Sequence, residues 1–239
     1  LTKKEKKALI KTLDAADLIV FDHLEPTISH YPFLEKYTSD PRLAILSNDL
    51  PDDDEYITTT SDSHFYLSPL LWKQAIELIY DRLCTLDETN IDTYLNHYTL
   101  YGYKLDALDD IIKQHIATIP KHKRVLSSLS SSYTYFCDAY GLSVNPVTIL
   151  NTVPSNPTEN ARLTAKNLKQ KRIRAVFYNP TELSSDEHKT LRIMIDGRYA
   201  KRLDVIPLSV ALEDEHNLQE TYVGMMVYYM RHITQKLKR

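Results

Sequence analysis

Residues 91–119, IDTYLNHYTLYGYKLDALDDIIKQHIATI, decide how this chain is to be read. Apolar and aromatic side chains fall at Tyr94, Leu95, Tyr98, Tyr101, Leu105, Leu108, Ile112 and Ile116. Spacings of three and four of this kind predict a single amphipathic helix, ended by Pro120. A helix of about 28 residues is about 40 Å long, enough to tie two lobes together rather than sit inside one. On that reading residues 1–90 form a front lobe, 91–119 a spanning helix and 120–239 a rear lobe.

The rear lobe alternates regularly. RVLSSLS (124–130) reads as a strand, YTYFCDAYGL (133–142) as a helix capped by Gly141, and VTILNTV (147–153) as a strand. A helix at 156–173, a strand at 175–180, a helix at 184–199, a strand at 202–210 and a closing helix at 217–238 follow. This βαβ order predicts a parallel sheet with helices on both faces. The front lobe is shorter. A helix over 1–16 turns Leu9, Ile10 and Leu13 inward, and ADLIVFD (16–22) and RLAILS (42–47) read as buried strands. PDDDEYITTTSDS (51–63) is a polar loop, and a helix opens at Ser68-Pro69, where proline is tolerated in the first turn. The predicted class is α/β: two lobes with parallel sheets joined by one long helix.

Composition narrows the function. The 239 residues are 43% hydrophobic and 26% charged, the balance of a folded globular chain. The net charge is −3, so no global basic field points to nucleic acid. Basic residues cluster at 3–7, 121–124, 169–174 and 236–239, each at a predicted helix end or a chain end. There they complement the helix dipole, and solvated caps are expected rather than a phosphate-binding patch. The four glycines form no phosphate-cradling loop. Cys84 and Cys137 fall on apolar helix positions and are expected to be small buried hydrophobes. No run of about 18 apolar residues predicts a membrane span.

His64, in SDSHFYLSP (61–69), stands where a polar loop meets a helix, a position that suits a metal ligand. The alternative is a histidine hydrogen-bonded to Asp62 or to a backbone carbonyl. The serine run at 127–132 lacks a glycine-flanked elbow and an identifiable base, so no hydrolase is expected. His23 and His30, around Glu25, are expected in a surface loop, and Glu213 to His216 in a solvated one.

With this order in place, the sequence resembles the metal-receptor family of bacterial solute-binding proteins, the zinc and manganese receptors of ABC importers, some of which are described as adhesin lipoproteins. ADLIVFD, DSHFYLSP, LDETNIDTY, IPKHKRVL, YFCDAYGL, RAVFYNP and YVGMMVYYMRHITQKL carry the likeness, in the family's order and spacing. The resemblance implies one divalent zinc or manganese ion, as transported ligand, in a cleft between the lobes. His64 matches the family's second ligand. The third ligand position falls on Ser130, and the fourth on or beside Ser209 and Val210, with Glu213 and Asp214 nearby. Tyr66 and Tyr133 would flank the cleft. The family's first histidine would lie upstream of Leu1, together with two strands of the front sheet, so the front lobe is expected to be incomplete. The resemblance further implies an extracytoplasmic location, in the periplasm or lipid-anchored on the outer face of the cytoplasmic membrane. Its partners would be the membrane subunits of an importer, and the chain would be a monomer that binds no nucleic acid. The alternative is a metal-free relative acting as an adhesin or interaction scaffold, with a surface or complex partner.

Overall fold

The computed structural model describes residues 1–49, 64–153, 156–197, 199–210, 212 and 220–239. The chain divides into two compact units, Leu1–Ala107 and Leu108–Arg239.

The first unit opens with helix α1 (Lys3–Ala15), started by a reciprocal capping box between Thr2 and Glu5. Strands β1 (Ile19–Phe21) and β2 (Leu43–Ile45) pair in parallel. Between them come α2 (Leu24–His30) and a 3-10 segment, Pro32–Tyr37. Ile19, Phe21, Leu34 and Tyr37 form the core here, with Leu13 packed against it. The guanidinium of Arg42 donates to the carbonyls of Leu13, Asp14 and Ala16, capping the end of α1, and is itself held by Asp40 at 2.7 Å. Helix α2 corrects the expected surface loop: His23 is its N-cap and is buried, and His30 closes it. The polar stretch 51–63 lies outside the described residues.

Helix α3 (Pro69–Leu86) starts at Ser68 as expected, and α4 (Ile91–Ala117) follows after a turn built on Asp87. Hydrogen bonds from the side chains of Thr89, Asn90 and Tyr94, with the Thr89 N–H adding, hold the Asp87 carboxyl down at about 2. Lys73 reaches both carboxylate oxygens of Asp106 at 2.7 Å, and the rings of Tyr80 and Tyr98 stack at 4.9 Å. The even apolar spacing along α4 does not translate into even burial. Leu105, Leu108, Ile112 and Ile116 are buried, whereas Leu95 and Leu100 are exposed.

The second unit is a four-stranded parallel sheet in the order β4-β3-β5-β6. The strands are β3 (Val125–Ser128), β4 (Ser143–Pro146), β5 (Ala175–Tyr178) and β6 (Asp204–Pro207). Between them run α5 (Thr134–Ala139), α6 (Pro157–Gln170) and α7 (Ser185–Asp196), and α8 (Tyr222–Leu237) closes the chain. Helix α6 buries Ala161, Thr164, Ala165 and Leu168, a helical stripe that meets Val176 of β5 and Leu191 and Met194 of α7. Helix α8 packs beside β3, burying Met225, Met226, Tyr229, Met230 and Ile233. Cys137 is buried and Cys84 partly so, and both are free thiols.

The strand expected at 147–153 is not one. Pairing with β3 uses Ser143–Pro146, one step earlier. Ile149 is buried as a core strand residue would be, but the backbone beyond it bonds to helix side chains: Leu150 N–H to Thr164 Oγ1 and Val153 N–H to Asn160 Oδ1. Apolar burial and β-pairing are separate requirements, and this segment meets only the first. Gly141 follows α5 with φ +63°, the left-handed conformation in which glycine carries no steric cost.

Candidate functional site

In the first unit, two anchors fix the stretch around His64. Phe65 and Leu67 are fully buried in a single 3-10 turn, while His64 and Tyr66 stay half-exposed. The turn is closed by the Leu67 N–H donating to the His64 carbonyl at 2.9 Å and the Ser68 N–H to Phe65 at 3.0 Å. Burial of alternate residues leaves the imidazole and phenol as near neighbours, with ring centroids 5.9 Å apart. Helix α3 begins at once behind them, with the Ser68 hydroxyl accepting from Leu71 N–H. The sequence HFYLSP (64–69) therefore places His64 one tight turn ahead of a helix.

In the second unit, Ser130, Tyr133 and Ser209 all lie where strands leave the sheet. The order 4-3-5-6 reverses between β3 and β5, and in open parallel sheets such a switch point at the carboxyl ends of the strands is where ligands bind. Serine hydroxyls knit that edge. Ser128 Oγ accepts from Ser130 N–H at 2.9 Å and donates to the Ser130 carbonyl at 2.8 Å. Ser130 Oγ accepts the Asn179 N–H at 2.7 Å, tying the loop after β3 to the loop after β5. The Asn179 side chain accepts from Thr181 and donates to Glu182 Oε1 at 2.9 Å. Ser132 Oγ is wholly buried and has no hydrogen-bond partner among the described residues.

Beyond β6, two tyrosines hold the backbone. Tyr133 donates to the Leu208 carbonyl at 2.6 Å, and Tyr229 donates to the Ser209 carbonyl at 2.7 Å. Their rings meet edge to face at 5.9 Å. Tyr133 is fully buried, and burial, with the neighbouring Tyr229 and Glu182 adding, pushes its ionisation far above the ordinary phenol range. Ser130 and Ser209 thus share one edge of one sheet, linked through Tyr133 and Leu208. Asn179, Glu182 and Tyr229 complete this edge and were not singled out from sequence. Asn-Pro directly after a strand, as at 179–180, is the signal that could have found Asn179.

Among the described residues no group of three or more His, Cys, Asp and Glu is arranged to hold a metal ion. The acidic stretches at 51–63 and 213–215 lie outside those residues. No described helix is long and apolar enough to cross a membrane.

A histidine at a helix entry in one α/β unit and a polar exit edge on a doubly wound sheet in the other are features that a solute receptor can use. The chain belongs to the ZnuA family, described as zinc-uptake complex component A, periplasmic, whose pattern matches residues 4–236. That family is a component of transport. The zinc-binding protein TroA of Treponema pallidum is 24% identical over 237 residues, covering 96% of this chain and 75% of TroA. The manganese ABC transporter substrate-binding lipoprotein PsaA of Streptococcus pneumoniae is 26% identical over 161 residues, 67% of this chain and 50% of PsaA. The chain therefore spans about half the length of that lipoprotein. Among solved structures, periplasmic zinc-binding TroA superposes with a TM-score of 0.73 at 22% identity, over 94% of this chain and 82% of its own. The metal-dependent lipoprotein YcdH of Bacillus subtilis gives 0.70 at 20% identity, over 100% and 85%. These likenesses bear out the expected α/β class with parallel sheets.

Proposed function

We propose that this chain is the extracytoplasmic receptor of a zinc- or manganese-type ABC importer, binding one divalent ion as cargo and delivering it to the importer's membrane subunits. Membership of the ZnuA family along residues 4–236 carries the reading. The presented His64 supports it locally. Residues 1–90 and 120–239 are the two lobes, tied by the helix 91–119, and the receptor works as a monomer in the periplasm or anchored at the outer face of the cytoplasmic membrane. It performs no catalytic step. His64 supplies a neutral imidazole donor, which suits zinc, whereas manganese favours oxygen donors beside it. Ser130 and Ser209 stand at the third and fourth family positions, on the same sheet edge as Tyr133, and Tyr66 stands beside His64. Serine hydroxyls are weak neutral donors, so His64 carries a larger share of the affinity than any one ligand of a four-donor anionic site. The names of the relatives carry zinc or manganese, and nothing favours the metal-free scaffold over this reading.

The test is calorimetric titration of the metal-stripped chain with zinc and with manganese. One ion per chain is expected for at least one of the two metals. His64→Ala should weaken that binding by about a hundredfold or more. An unchanged titration in His64→Ala removes His64 from the site, and failure of the unaltered chain to bind either ion refutes the receptor reading.

A further inference from the structure

The basic clusters of the rear unit converge. In a parallel sheet all strands start at one edge, and here the runs at 121–124 and 169–174 and the pair Lys201-Arg202 each lie directly before a strand: β3, β5 and β6. Helix α8 returns its basic end to the same edge. Lys123 Nζ donates to the Lys238 carbonyl at 2.9 Å, and Lys236 and Arg239 reach Asp204, at the start of β6, at 3.0 and 3.7 Å. This is the edge opposite the one that carries Ser130 and Ser209. The charge is local to the unit: residues 1–107 hold ten Lys and Arg against nineteen Asp and Glu, and residues 108–239 hold nineteen against thirteen.

At this edge lies a cavity of about 540 Å³, lined by the cations Lys169, Arg172, Arg174, Lys201 and Arg202 with Tyr199 beside them, and among the described residues by no carboxylate. Of the described acids, Asp204 is engaged by Lys236 and Arg239, and Asp196 by Arg192 at 3.6 Å. Like charges gathered in a concavity repel and are stabilised by a bound anion. Two of the five cations also adopt a backbone conformation that L-residues avoid. Arg172 (φ 58°) and Arg202 (φ 67°) are the non-glycine residues with positive φ among those described. Arg172 stands at the glycine position of a helix-ending motif, where Ile173 N–H bonds to the Leu168 carbonyl at 3.0 Å. Glycine is the default residue at such positions. Both exceptions are arginines, and both line the same cavity.

We infer that the strand-entry edge of the rear unit is a binding site for clustered phosphate groups, centred on the cavity between the 169–174 and 199–203 turns. Several cations around a volume this size match an anion bearing more than one phosphate, and guanidinium forks suit phosphate oxygens. Such groups come from a soluble polyphosphate or from anionic phospholipid headgroups at a membrane surface.

The test uses the full chain, with inorganic tripolyphosphate in calorimetry and vesicles of phosphatidylglycerol and phosphatidylcholine in co-sedimentation. Tripolyphosphate should bind, and the affinity should fall about tenfold or more between roughly 50 and 200 mM salt. Lys169→Ala with Lys201→Ala should weaken binding by about tenfold or more. Arg172→Gly with Arg202→Gly should do the same while leaving the melting temperature unchanged or raised, because glycine relieves the left-handed backbone. Zinc and manganese titrations, run without phosphate, should be unaltered in both variants. Sedimentation with phosphatidylglycerol vesicles that tripolyphosphate reverses identifies headgroups as the source, and no sedimentation identifies a soluble polyphosphate. Absence of tripolyphosphate binding at millimolar concentration, or binding undiminished in both double variants, overturns the proposal.

Discussion

Two serines, two residues apart on the same loop, should respond to alanine in opposite directions. Ser130 Oγ is the acceptor for the Asn179 N–H at 2.7 Å, with Ser130 only 6% and Asn179 1% exposed. Water cannot take over that N–H, so Ser130→Ala leaves a buried donor unsatisfied, at a cost of about 1–3 kcal/mol. Taking ~2 kcal/mol and about 2–4 °C per kcal/mol for a chain of this size, the melting temperature should fall by about 4–8 °C. Ser132→Ala removes the same atom from a residue that is 0% exposed, but its hydroxyl has no partner among the described residues. Its desolvation is returned by no hydrogen bond, so the variant should melt unchanged or up to roughly 3 °C higher. Thermal unfolding followed by circular dichroism at neutral pH reads both. Equal losses in the two variants would refute the reasoning, since they would mean that packing around the loop, and not hydrogen bonding, sets its stability.

Tyr133→Phe should cost less than Ser130→Ala, about 0.5–1.5 kcal/mol by urea unfolding, because Tyr229 also reaches the Leu208 carbonyl, at 3.3 Å. Asn160→Ala should cost about 2 kcal/mol and speed amide exchange at Val153, since the Asn160 side chain binds both the N–H and the carbonyl of Val153 at 3.0 Å; protected exchange there would count against the clamp. Gly141→Ala meets no heavy atom within 4 Å, so it should cost only the backbone term, about 1–2 kcal/mol by the same assay. Hydrogen bonds from Arg42 hold the Asp40 carboxyl down at about 2, below its unfolded value, so its contribution is present above about pH 4 and is lost as pH falls toward 2. Asp40→Asn should therefore flatten the loss of thermal stability between about pH 4 and 2, and an unchanged slope would dismiss the ion pair.

The helices were legible because their signals are local. Ser68-Pro69 before α3, the spacing of α4 up to Pro120, and Gly141 after α5 are each written within a few residues, and each stands where it was expected. The parallel rear sheet followed from element order, since a strand, helix and strand of those lengths close in only one way. The misses have a common cause. VTILNTV has strand composition, yet β3 pairs with the four residues before it, and a partner's register is not a local property. Leu95 and Leu105 sit on the same periodic pattern, but only Leu105 is covered. Periodicity names a face, and burial depends on what the rest of the chain lays against it.

The same division holds for function. By itself the sequence determined the α/β class, the family likeness and His64 as the candidate ligand, because these rest on ordered motifs and local chain chemistry. Only the tertiary structure decided that Ser130 is bound to the Asn179 backbone, that Tyr133 and Tyr229 hold the chain after β6, and that basic runs far apart in sequence meet around one cavity. Read singly, each run is a helix-end cap. Parallel pairing puts every strand start on one edge, and it is this long-range register that turns separate caps into one field.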